Sequence, residues 1–529
     1  MRFRSAFRPP FGARPRSVAV LALGGALLVL SACAVGPDYE EPELPVPDAW
    51  GNAAAADLAG PSPVLETWWT TLGDTLLDSL LVRARAANPD LDAALARITE
   101  ARAYHQIAGG AYWPQVQADG TFSRTQIAEN GPQGALAALG DNPSNNWEFG
   151  LGASWELDLF GRNRRAREAT GAGVAASIED YRDVLVSLYA EVAATYVDVR
   201  ALQLRLAVAR ENVASQRETM DIVIAREDAG LVPLLDVARA RSNLANTEAA
   251  IPLLETALEA GRNRLAVLLG ENPGALDTEL AADAGLPRPD TAVALELPAE
   301  LLRRRPDVRR SERSLAAQTA RIGVAKADLY PSFSLVGAIS VTSVDFGGLG
   351  DAGHTGWTLA PGVRWNLFTG GRIRGQIKAE EARTRQALAA YEKTVLNALA
   401  EVENALVALR QEETRRDLLI TAVEASQQSV ELVHTLYLEG LTDFQAYLDA
   451  QRVLFDQQDA LAQSRGNVIT DVVQLNRALG GGWSLADTDP DLALEMARSD
   501  ASDAAAAANR TDSDANGAGS APAQENEVN

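Results

Sequence analysis

The sequence has very little cysteine and histidine. Cys33 is the only cysteine in 529 residues, and the three histidines (His105, His354, His434) are far apart in the chain. One cysteine excludes an intrachain disulfide and a metal site built from several thiolates, so stability must come from packing and assembly. No phosphate loop, nucleophile elbow or zinc-binding spacing is found. These absences predict a protein that is not an enzyme and that holds no metal or cofactor.

Basic residues and long apolar runs are also scarce. Lys and Arg number 48 against 71 Asp and Glu, which gives a net charge of −23. Such a chain repels nucleic acid, although part of the charge serves ordinary solubility. After the first 32 residues no run of eighteen apolar residues occurs, so no transmembrane helix is predicted. Any membrane-spanning segment must therefore be a β-strand.

The amino terminus is typical of an export signal. Five arginines precede an apolar stretch at residues 18–30, and small residues lead into Cys33. This order predicts a signal peptide over residues 1–32. Leu30-Ser31-Ala32-Cys33 resembles a bacterial lipobox, whose cysteine is acylated and becomes the first residue. The alternative is an ordinary signal peptide with an incidental cysteine, but the position of the only cysteine favours lipidation. Ala34, instead of Asp, implies sorting to the outer membrane.

Segments of biased composition flank the body of the chain. Residues 33–65 are rich in proline and predict an extended, lipidated tether. After Met496 the only large apolar residue is Val528. Residues 483–529 therefore predict a disordered acidic tail.

A very long helix is predicted over residues 161–230. This run has no proline, and apolar or near-apolar residues recur in alternating steps of three and four from Leu185 to Val223. That spacing is typical of coiled-coil packing. At a rise of about 1.5 Å per residue, the helix would extend roughly 100 Å. No compact globular domain needs a helix of that length.

The same pattern occurs twice. Glu191-Val192 matches Glu401-Val402, and the turn glycine Gly230 matches Gly440, each 210 residues later. A repeat this long predicts a duplicated half-molecule, not a solenoid. The first repeat is assigned to residues 66–296, with a helix, a β-hairpin at 115–159 and long helices at 161–270. The second is assigned to residues 297–482, with a helix, a hairpin at 332–368 and long helices at 371–480.

The hairpin strands alternate between apolar and polar residues, which is the period of a β-strand with two different faces. Tryptophans stand near the strand ends. They are Trp147, Trp155, Trp357 and Trp365. The polar positions include Glu148, Glu156, Asp158 and Arg364. The hairpins could lie on a soluble core, but strands of about ten residues with aromatic ends are typical of membrane barrels.

Four strands cannot close a barrel alone, and lipid does not tolerate unpaired strand edges. The barrel must therefore be shared between subunits. Two chains would give eight strands and a filled interior, whereas three would give twelve strands and an open lumen. In either case we expect the four charged residues to line the lumen and the four tryptophans to face lipid.

Four segments carry a resemblance to a known family. They are Gly-Pro-Asp-Tyr (36–39), Trp-Glu-Leu-Asp-Leu-Phe-Gly-Arg (155–162), Leu-Pro-Ala-Glu-Leu-Leu-Arg-Arg-Arg-Pro-Asp-Val (297–308), and Ile-Gly-Val-Ala-Lys-Ala-Asp-Leu-Tyr-Pro-Ser-Phe-Ser-Leu-Val-Gly (322–337). Together they resemble the TolC-like outer-membrane efflux proteins, in the NodT-type lipoprotein branch that serves RND pumps. The resemblance extends over residues 36–482, which is nearly all of the mature chain.

The resemblance implies a mixed α and β membrane protein. Three chains would form a homotrimer with a twelve-stranded outer-membrane β-barrel, four strands from each, continued by a helical coiled-coil tunnel through the periplasm. The implied function is passive conduction of solutes from an inner-membrane RND pump and a periplasmic adaptor protein to the exterior. Two alternatives remain: a non-conducting coiled-coil lipoprotein of the envelope, and a secreted enzyme scaffold. Neither accounts for strands with a lipid-compatible face.

The resemblance also points to a gate. Gly230 and Gly440 are expected to be the helix-turn tips at the periplasmic end of the tunnel, because glycine readily ends a helix in the left-handed conformation. The segment Tyr447-Leu-Asp-Ala-Gln-Arg452 is similar to the family segment whose aspartate rings the closed aperture. This implies that Asp449 forms the ring and that Arg452 ties it to a neighbouring helix. Ala446 stands where some members have a second acid. The alternative is that Asp449 and Arg452 are a solvated surface pair.

Overall fold

The computed structural model describes residues 34–52, 65–132, 135, 141–282, 285–288 and 303–484. Cys33, the signal peptide and the tail beyond residue 484 lie outside the described residues. In chain order the helices and strands are α1 (Thr75–Ala87), α2 (Pro89–Gly110), β1 (Gln115–Thr125), β2 (Ser144–Leu157), α3 (Arg162–Asp228), α4 (Leu234–Leu268), α5 (Pro306–Ala327), β3 (Ser332–Ser343), β4 (Thr355–Arg364), α6 (Arg372–Leu438) and α7 (Phe444–Ala478). A 3-10 helix, Leu65–Leu72, precedes α1, and two others, Phe346–Gly350 and Ala352–His354, lie between β3 and β4.

The long helices have the same length in both halves of the chain. The helices α3 and α6 each have 67 residues, and α4 and α7 each have 35. At a rise of about 1.5 Å per residue, α3 and α6 each extend roughly 100 Å. None of the helices within the described ranges is both long and apolar enough to cross a membrane.

The helices α2 and α5 both end ahead of an aromatic-proline step. Each has 22 residues and ends at Gly110 or Ala327, three residues before the Trp113-Pro114 and Tyr330-Pro331 steps. Proline disfavours helical geometry at the residue before it, so the last turn opens ahead of the proline. Short turns follow, in which the amides of Trp113 and Tyr330 donate to Gly110 and Ala327.

The chain divides into two compact units. The first, called the sheet unit, comprises the described residues up to Pro42 together with Glu100–Ala175 and Glu312–Ala390. The second, called the helical unit, comprises Glu43–Thr99, Ala176–Ser311 and the chain from Tyr391 onward.

The helical unit holds most of the buried apolar residues. One cluster joins α1 and α2 to the middle of α3, with Trp68, Leu77, Leu91 and Tyr196 at most 1% exposed. Full burial of a leucine such as Leu77 or Leu91 stabilises the fold by about 1.5–3 kcal/mol through its removal from water. A second cluster, which includes Trp50, packs between α6 and α7. Trp50, which belongs to the segment 33–65 expected to be a tether, is therefore part of the packed structure.

The sheet unit contains one four-stranded antiparallel sheet in the order β1-β2-β3-β4. The prediction of four strands per chain is confirmed, and the two hairpins join because β2 pairs with β3. The strands β1 and β4 are the edges of this sheet. A small buried cluster in the same unit contains Ala325, Ile373 and Ile377.

Candidate functional site

The strand register places most of the large apolar residues of the four strands on one face of the sheet, with Val336 on the other. Phe122 pairs with Trp147, Trp155 with Leu335, and Ile339 with Trp357. In a sheet, residues directly opposite each other share a face. Many of these apolar side chains are exposed, including Val116, Phe149, Leu151, Ile339, Trp357, Leu359 and Val363. Such a large exposed apolar surface is typical of a membrane or protein contact.

The opposite face is polar and built largely from small residues. Asp119 pairs with Gly150, Gln117 with Gly152, and Glu156 with Ser334. A pocket of about 530 Å³ lies against this face, lined in part by Gln115, Gln117, Asp119, Thr121 and Glu148. A wall of this kind leaves room for solute or water beside the strands.

Three of the predicted lumen residues lie on this polar face. Glu148 and Glu156 lie in β2, Arg364 ends β4, and all three are exposed. Asp158 differs from the prediction because it lies one residue beyond β2. Its two carboxylate oxygens accept hydrogen bonds from the backbone amides of Asn163, at 3.0 Å, and Arg164, at 2.9 Å. A carboxylate at a helix start satisfies amides that have no partner within the helix, so Asp158 stabilises the first turn of α3.

The four tryptophans have different surroundings. Trp147 packs against Phe122, with ring centroids 4.3 Å apart, and against Phe346 at 5.0 Å. The indole nitrogen of Trp155 donates to the carbonyl of Tyr112 at 2.9 Å. Trp365 lies just beyond β4, and its indole donates to the carbonyl of Leu329 at 3.0 Å. Trp357 is 77% exposed.

Gly230 and Gly440 lie in the turns that connect the long helices. Both have positive φ, +70° and +74°, which glycine adopts without the penalty that a Cβ brings. After each glycine the amide of the next residue reaches back into the helix, from Leu231 to the Arg226 carbonyl and from Leu441 to Leu436, both at 2.8 Å. This hydrogen bond is typical of a helix that ends in a left-handed residue.

An aromatic cluster lies beside the second turn. Tyr437, Phe444 and Tyr447 are at most 5% exposed and pack against one another. His434 stacks on Tyr447 with ring centroids 5.0 Å apart. Burial raises the pKa of Tyr437, while the guanidinium of Arg226, 4.9 Å from its ring, acts in the opposite direction. The cluster holds the start of α7 against α6.

The side chain of Gln451 connects α7 to α3. Its amide nitrogen donates to the Tyr447 hydroxyl at 2.9 Å and to the Thr219 hydroxyl at 3.1 Å. All three residues are buried. The helical spacing of Tyr447 and Gln451 places both on one face of α7, but no local pattern in the sequence predicts their contact with Thr219.

Asp449 and Arg452 lie on the exposed side of the same helix. The Arg452 guanidinium is 3.2 Å from the Asp449 carboxylate, and the two side chains are 65% and 48% exposed. Gln445 also donates to Asp449 at 3.2 Å. Asp443, in turn, accepts from the Ala446 amide at 2.9 Å and caps α7. Asp449 and Arg452 are thus held on a regular, capped helix.

The histidines have separate and ordinary contacts. His105 lies 3.2 Å from the Thr170 hydroxyl, and His354 is hydrogen-bonded to the Gly348 carbonyl at 2.5 Å. Within the described part of the chain, no group of His, Cys, Asp and Glu side chains could hold a metal ion.

Known proteins match almost the whole chain. A family model described as outer membrane efflux protein matches residues 80–271 and 297–481. Nodulation protein T of Rhizobium leguminosarum bv. trifolii is 32% identical over 461 residues, which cover 86% of this chain and 96% of the relative. The toluene efflux pump outer membrane protein TtgF of Pseudomonas putida is 31% identical over 88% of this chain and 97% of the relative.

A solved structure agrees with these matches. The outer-membrane channel OprN aligns with a TM-score of 0.78 and 35% identity, over 85% of this chain and all of that one. The family consists of outer-membrane efflux channels, not enzymes. From its long helices, its four-stranded sheet and these similarities, we conclude that the chain belongs to the TolC-like outer membrane efflux protein family, in the NodT-type branch.

Proposed function

We propose that three copies of this chain form the outer-membrane duct of a tripartite efflux system. The observation that carries the proposal is the sheet, which has one apolar face, one polar face and two edges without a strand partner among the described residues. Lipid does not tolerate unpaired strand edges, so β1 and β4 need partners. Because the sheet has an even number of antiparallel strands, β4 of one copy can pair with β1 of the next in the same antiparallel sense.

The number of copies follows from the need for a lumen. Two copies would give eight strands, and side chains fill the interior of such a barrel. Three copies give twelve strands and leave space for solute. The long helices then continue this conduit through the periplasm. Solute would be received from an inner-membrane RND pump through a periplasmic adaptor protein, without a chemical step.

Conductance in planar bilayers tests this function directly. We expect the purified full-length protein to form trimers by native mass spectrometry and to give discrete single-channel currents. Trimers without conductance, under conditions that open related channels, would favour the alternative of a structural envelope lipoprotein. Dimers would contradict the twelve-stranded arrangement.

In this assembly the polar face of the sheet lines the lumen, with Glu148, Glu156 and Arg364. The apolar face meets lipid, and the tryptophans lie near its borders. Adjacent residues on β3 test the assignment. We expect Ile339→Arg to reduce the amount of trimer in the outer membrane, because an arginine that faces lipid near mid-depth costs about 2–4 kcal/mol.

Ala338→Arg is the matched control on the polar face, since Ala338 pairs with Gly152 and Thr358 there. We expect normal trimer levels and an altered conductance for this variant. Loss of trimer with Ala338→Arg but not with Ile339→Arg, measured by immunoblotting of outer-membrane fractions, would reverse the assignment of the two faces.

The amino terminus is proposed to carry lipid on Cys33. Two or more acyl chains hold a protein firmly to a bilayer, whereas one does not. Mass spectrometry of the mature amino terminus should show an acylated Cys33 as the first residue. An unmodified cysteine, or cleavage at another position, would contradict lipidation.

The gate is proposed to lie at the helix tips, where three copies of Asp449 surround one axis. Like charges at close range attract cations and raise the electric field on passing solutes. The observed Asp449–Arg452 pair lies within one helix. It is compatible with both a gate and a surface pair, because the ring involves neighbouring chains.

A further inference from the structure

The first described residues of the chain are packed against the sheet unit. Residues 34–39, here called the strap, follow Cys33 directly. The Val35 amide donates to the Phe160 carbonyl at 3.1 Å, which holds the strap at the turn between β2 and α3. The Tyr39 hydroxyl donates to the carboxylate of Glu312, a buried residue of α5, at 2.5 Å. The strap therefore contacts residues from both halves of the chain.

Three glycines allow the strap to lie this close to its surroundings. Gly36 has φ of +106°, and a Cβ at this position would be 2.5 Å from the Cα of Gly323. A Cβ at Gly323 would be 2.8 Å from the Val35 carbonyl oxygen, and one at Gly161 would be 2.7 Å from the Cα of Ala34. Cβ atoms in proteins essentially never come closer than 3.0 Å to a heavy atom that is not bonded to them. Only glycine at these positions leaves room for the strap.

Two of the three guanidinium nitrogens of Arg165, Nε and Nη2, donate hydrogen bonds to the strap. Its Nε donates to the Val35 carbonyl at 3.2 Å, and Nη2 donates to the Gly36 carbonyl at 3.4 Å and to the Asp38 carboxylate at 2.6 Å. Nη1 is paired with Glu168 at 2.8 Å. The side chain of Arg165 is only 6% exposed. A planar guanidinium with several fixed donors suits this combination of carbonyl and carboxylate acceptors.

This site contains parts of three distant motifs. Gly36 and Asp38 belong to the segment 36–39, Gly161 to 155–162, and Gly323 to 322–337. The duplicated half offers an internal control. At the offset of 210 residues, Gly375 replaces Arg165 and Gly371 replaces Gly161, and no heavy atom lies within 4 Å of a Cβ at either position. The turn from strand to long helix therefore forms without such a site, so the buried arginine serves the strap.

We propose that the strap is a seated anchor segment, and that Arg165 is the positioning residue that holds the amino terminus beside Gly161, at the end of β2. A lipid on residue 33 would then enter the bilayer at a fixed place next to the sheet, instead of at the end of a free tether. This inference rests on the proposed lipidation of Cys33 in one respect only, which is that the group positioned by the strap is a lipid. Seating of the strap itself depends on Arg165 and the glycines.

Mobility of the strap tests the inference in the full-length trimer. A spin label on Glu40→Cys, an exposed position next to the strap, reports local motion by its room-temperature EPR line shape. The unsubstituted chain shows whether Cys33 itself takes up the label. In the labelled Glu40→Cys protein without further substitution, here called the parent, we expect the broad spectrum of a label with restricted motion. In Arg165→Ala we expect a sharp spectrum with motion in the nanosecond range or faster, as at free chain ends.

Arg164→Ala is the matched control, because Arg164 lies in the same turn but contacts Asp158 and Leu159. We expect its spectrum to stay restricted. Arg165→Lys retains the positive charge but loses the several fixed N–H donors of the guanidinium. We therefore expect a spectrum between those of the parent and Arg165→Ala. If Arg165→Ala does not assemble, Asp38→Ala removes one strap contact and should give an intermediate spectrum.

A restricted spectrum in both Arg165→Ala and Asp38→Ala would overturn the proposal. Mass spectrometry of the amino terminus of the same samples separates the two hypotheses. An unacylated Cys33 with a strap that still depends on Arg165 would reject lipidation and retain the seated strap. An acylated Cys33 with a mobile strap in the parent would support lipidation and contradict the proposal that the strap is held in place.

Discussion

The two halves of the chain have the same backbone plan but use different side chains to complete it. Asn88 directly precedes α2, which begins at Pro89, and Arg305 directly precedes α5, which begins at Pro306. The Asn88 amide donates to the carbonyl of Leu268, the last residue of α4, at 2.9 Å. The Arg305 guanidinium donates to the carbonyl of Ala478, the last residue of α7, also at 2.9 Å. Each half thus satisfies a carbonyl at the end of its long helix pair by a contact of the same kind.

The halves differ in charge at two places that matter for the proposals above. At the offset of 210 residues, Asp449 corresponds to Arg239, and the buried Arg165 corresponds to Gly375. Duplication thus preserved helix lengths and helix ends, which depend on backbone geometry. The second tip and the first turn from strand to helix therefore differ from their counterparts in side-chain charge and not in backbone plan.

The largest expected effect is on the contacts that close the long helices. We expect Arg305→Ala to destabilise the folded chain by about 2 kcal/mol, because it leaves a buried helix-end carbonyl and the Asp307 and Glu401 carboxylates without their shared partner. Asn88→Ala should cost about 1–2 kcal/mol, since it removes the same kind of carbonyl contact and the cap on the Asp90 and Leu91 amides.

Thermal unfolding followed by circular dichroism in detergent measures both changes. Arg303→Ala is the control, because Arg303 is exposed and lies two residues before Arg305. Equal midpoints for the Arg305→Ala and Arg303→Ala variants would show that the carbonyl contact is not important in the second half.

The second prediction concerns the difference at the tips. Asp449→Ala should weaken block of the channel by divalent cations, because it removes three charges from the proposed ring. Arg452→Ala should loosen the closed state and raise single-channel conductance. The control is Asp236→Asn, which alters the ion pair of the first tip, where Asp236 and Arg239 are 3.8 Å apart. Unchanged block and conductance in both variants, with intact trimers, would reduce Asp449 and Arg452 to a surface pair.

The smallest expected effect is a pH-dependent change within the helical unit. Asp471 and Glu412 of the second half correspond to Gly261 and Leu202 of the first. Burial, with a smaller contribution from the charge of Glu412, raises the pKa of Asp471 to about 6. The unfolded chain ionises this group near its usual pKa of about 4, so the folded state loses stability as pH rises from about 4 to 6.

We therefore expect Asp471→Asn to raise the unfolding midpoint at pH 7.5 and to change it little at pH 4.5. Glu424→Gln, which alters an exposed acid on the same helix as Glu412, serves as the control. A stabilisation by Asp471→Asn that is equal at both pH values would show that the pKa of Asp471 is not raised in the folded protein.

Much of the architecture was predictable because it depends on local period. The three-four spacing from Leu185 to Val223 indicates a long helix, and the alternation around Trp147 and Trp155 separates the two faces of a strand. The left-handed turns at Gly230 and Gly440 follow from the conformational freedom of glycine. These features are properties of neighbouring residues, so the sequence contains them directly.

Other features were decided only by the tertiary structure. In sequence, Asp158 continues the alternation of polar and apolar residues in β2. In the folded chain its carboxylate caps α3 instead, because the turn after β2 brings the backbone amides of Asn163 and Arg164 within hydrogen-bond distance. The pairing of β2 with β3 joins segments separated by most of a repeat. The seat of the strap likewise brings residues 36, 161 and 323 together, and Gln451 bonds to Thr219 on another helix. Local periodicity determines which face a side chain occupies, whereas contacts between distant segments depend on the packing of the whole chain.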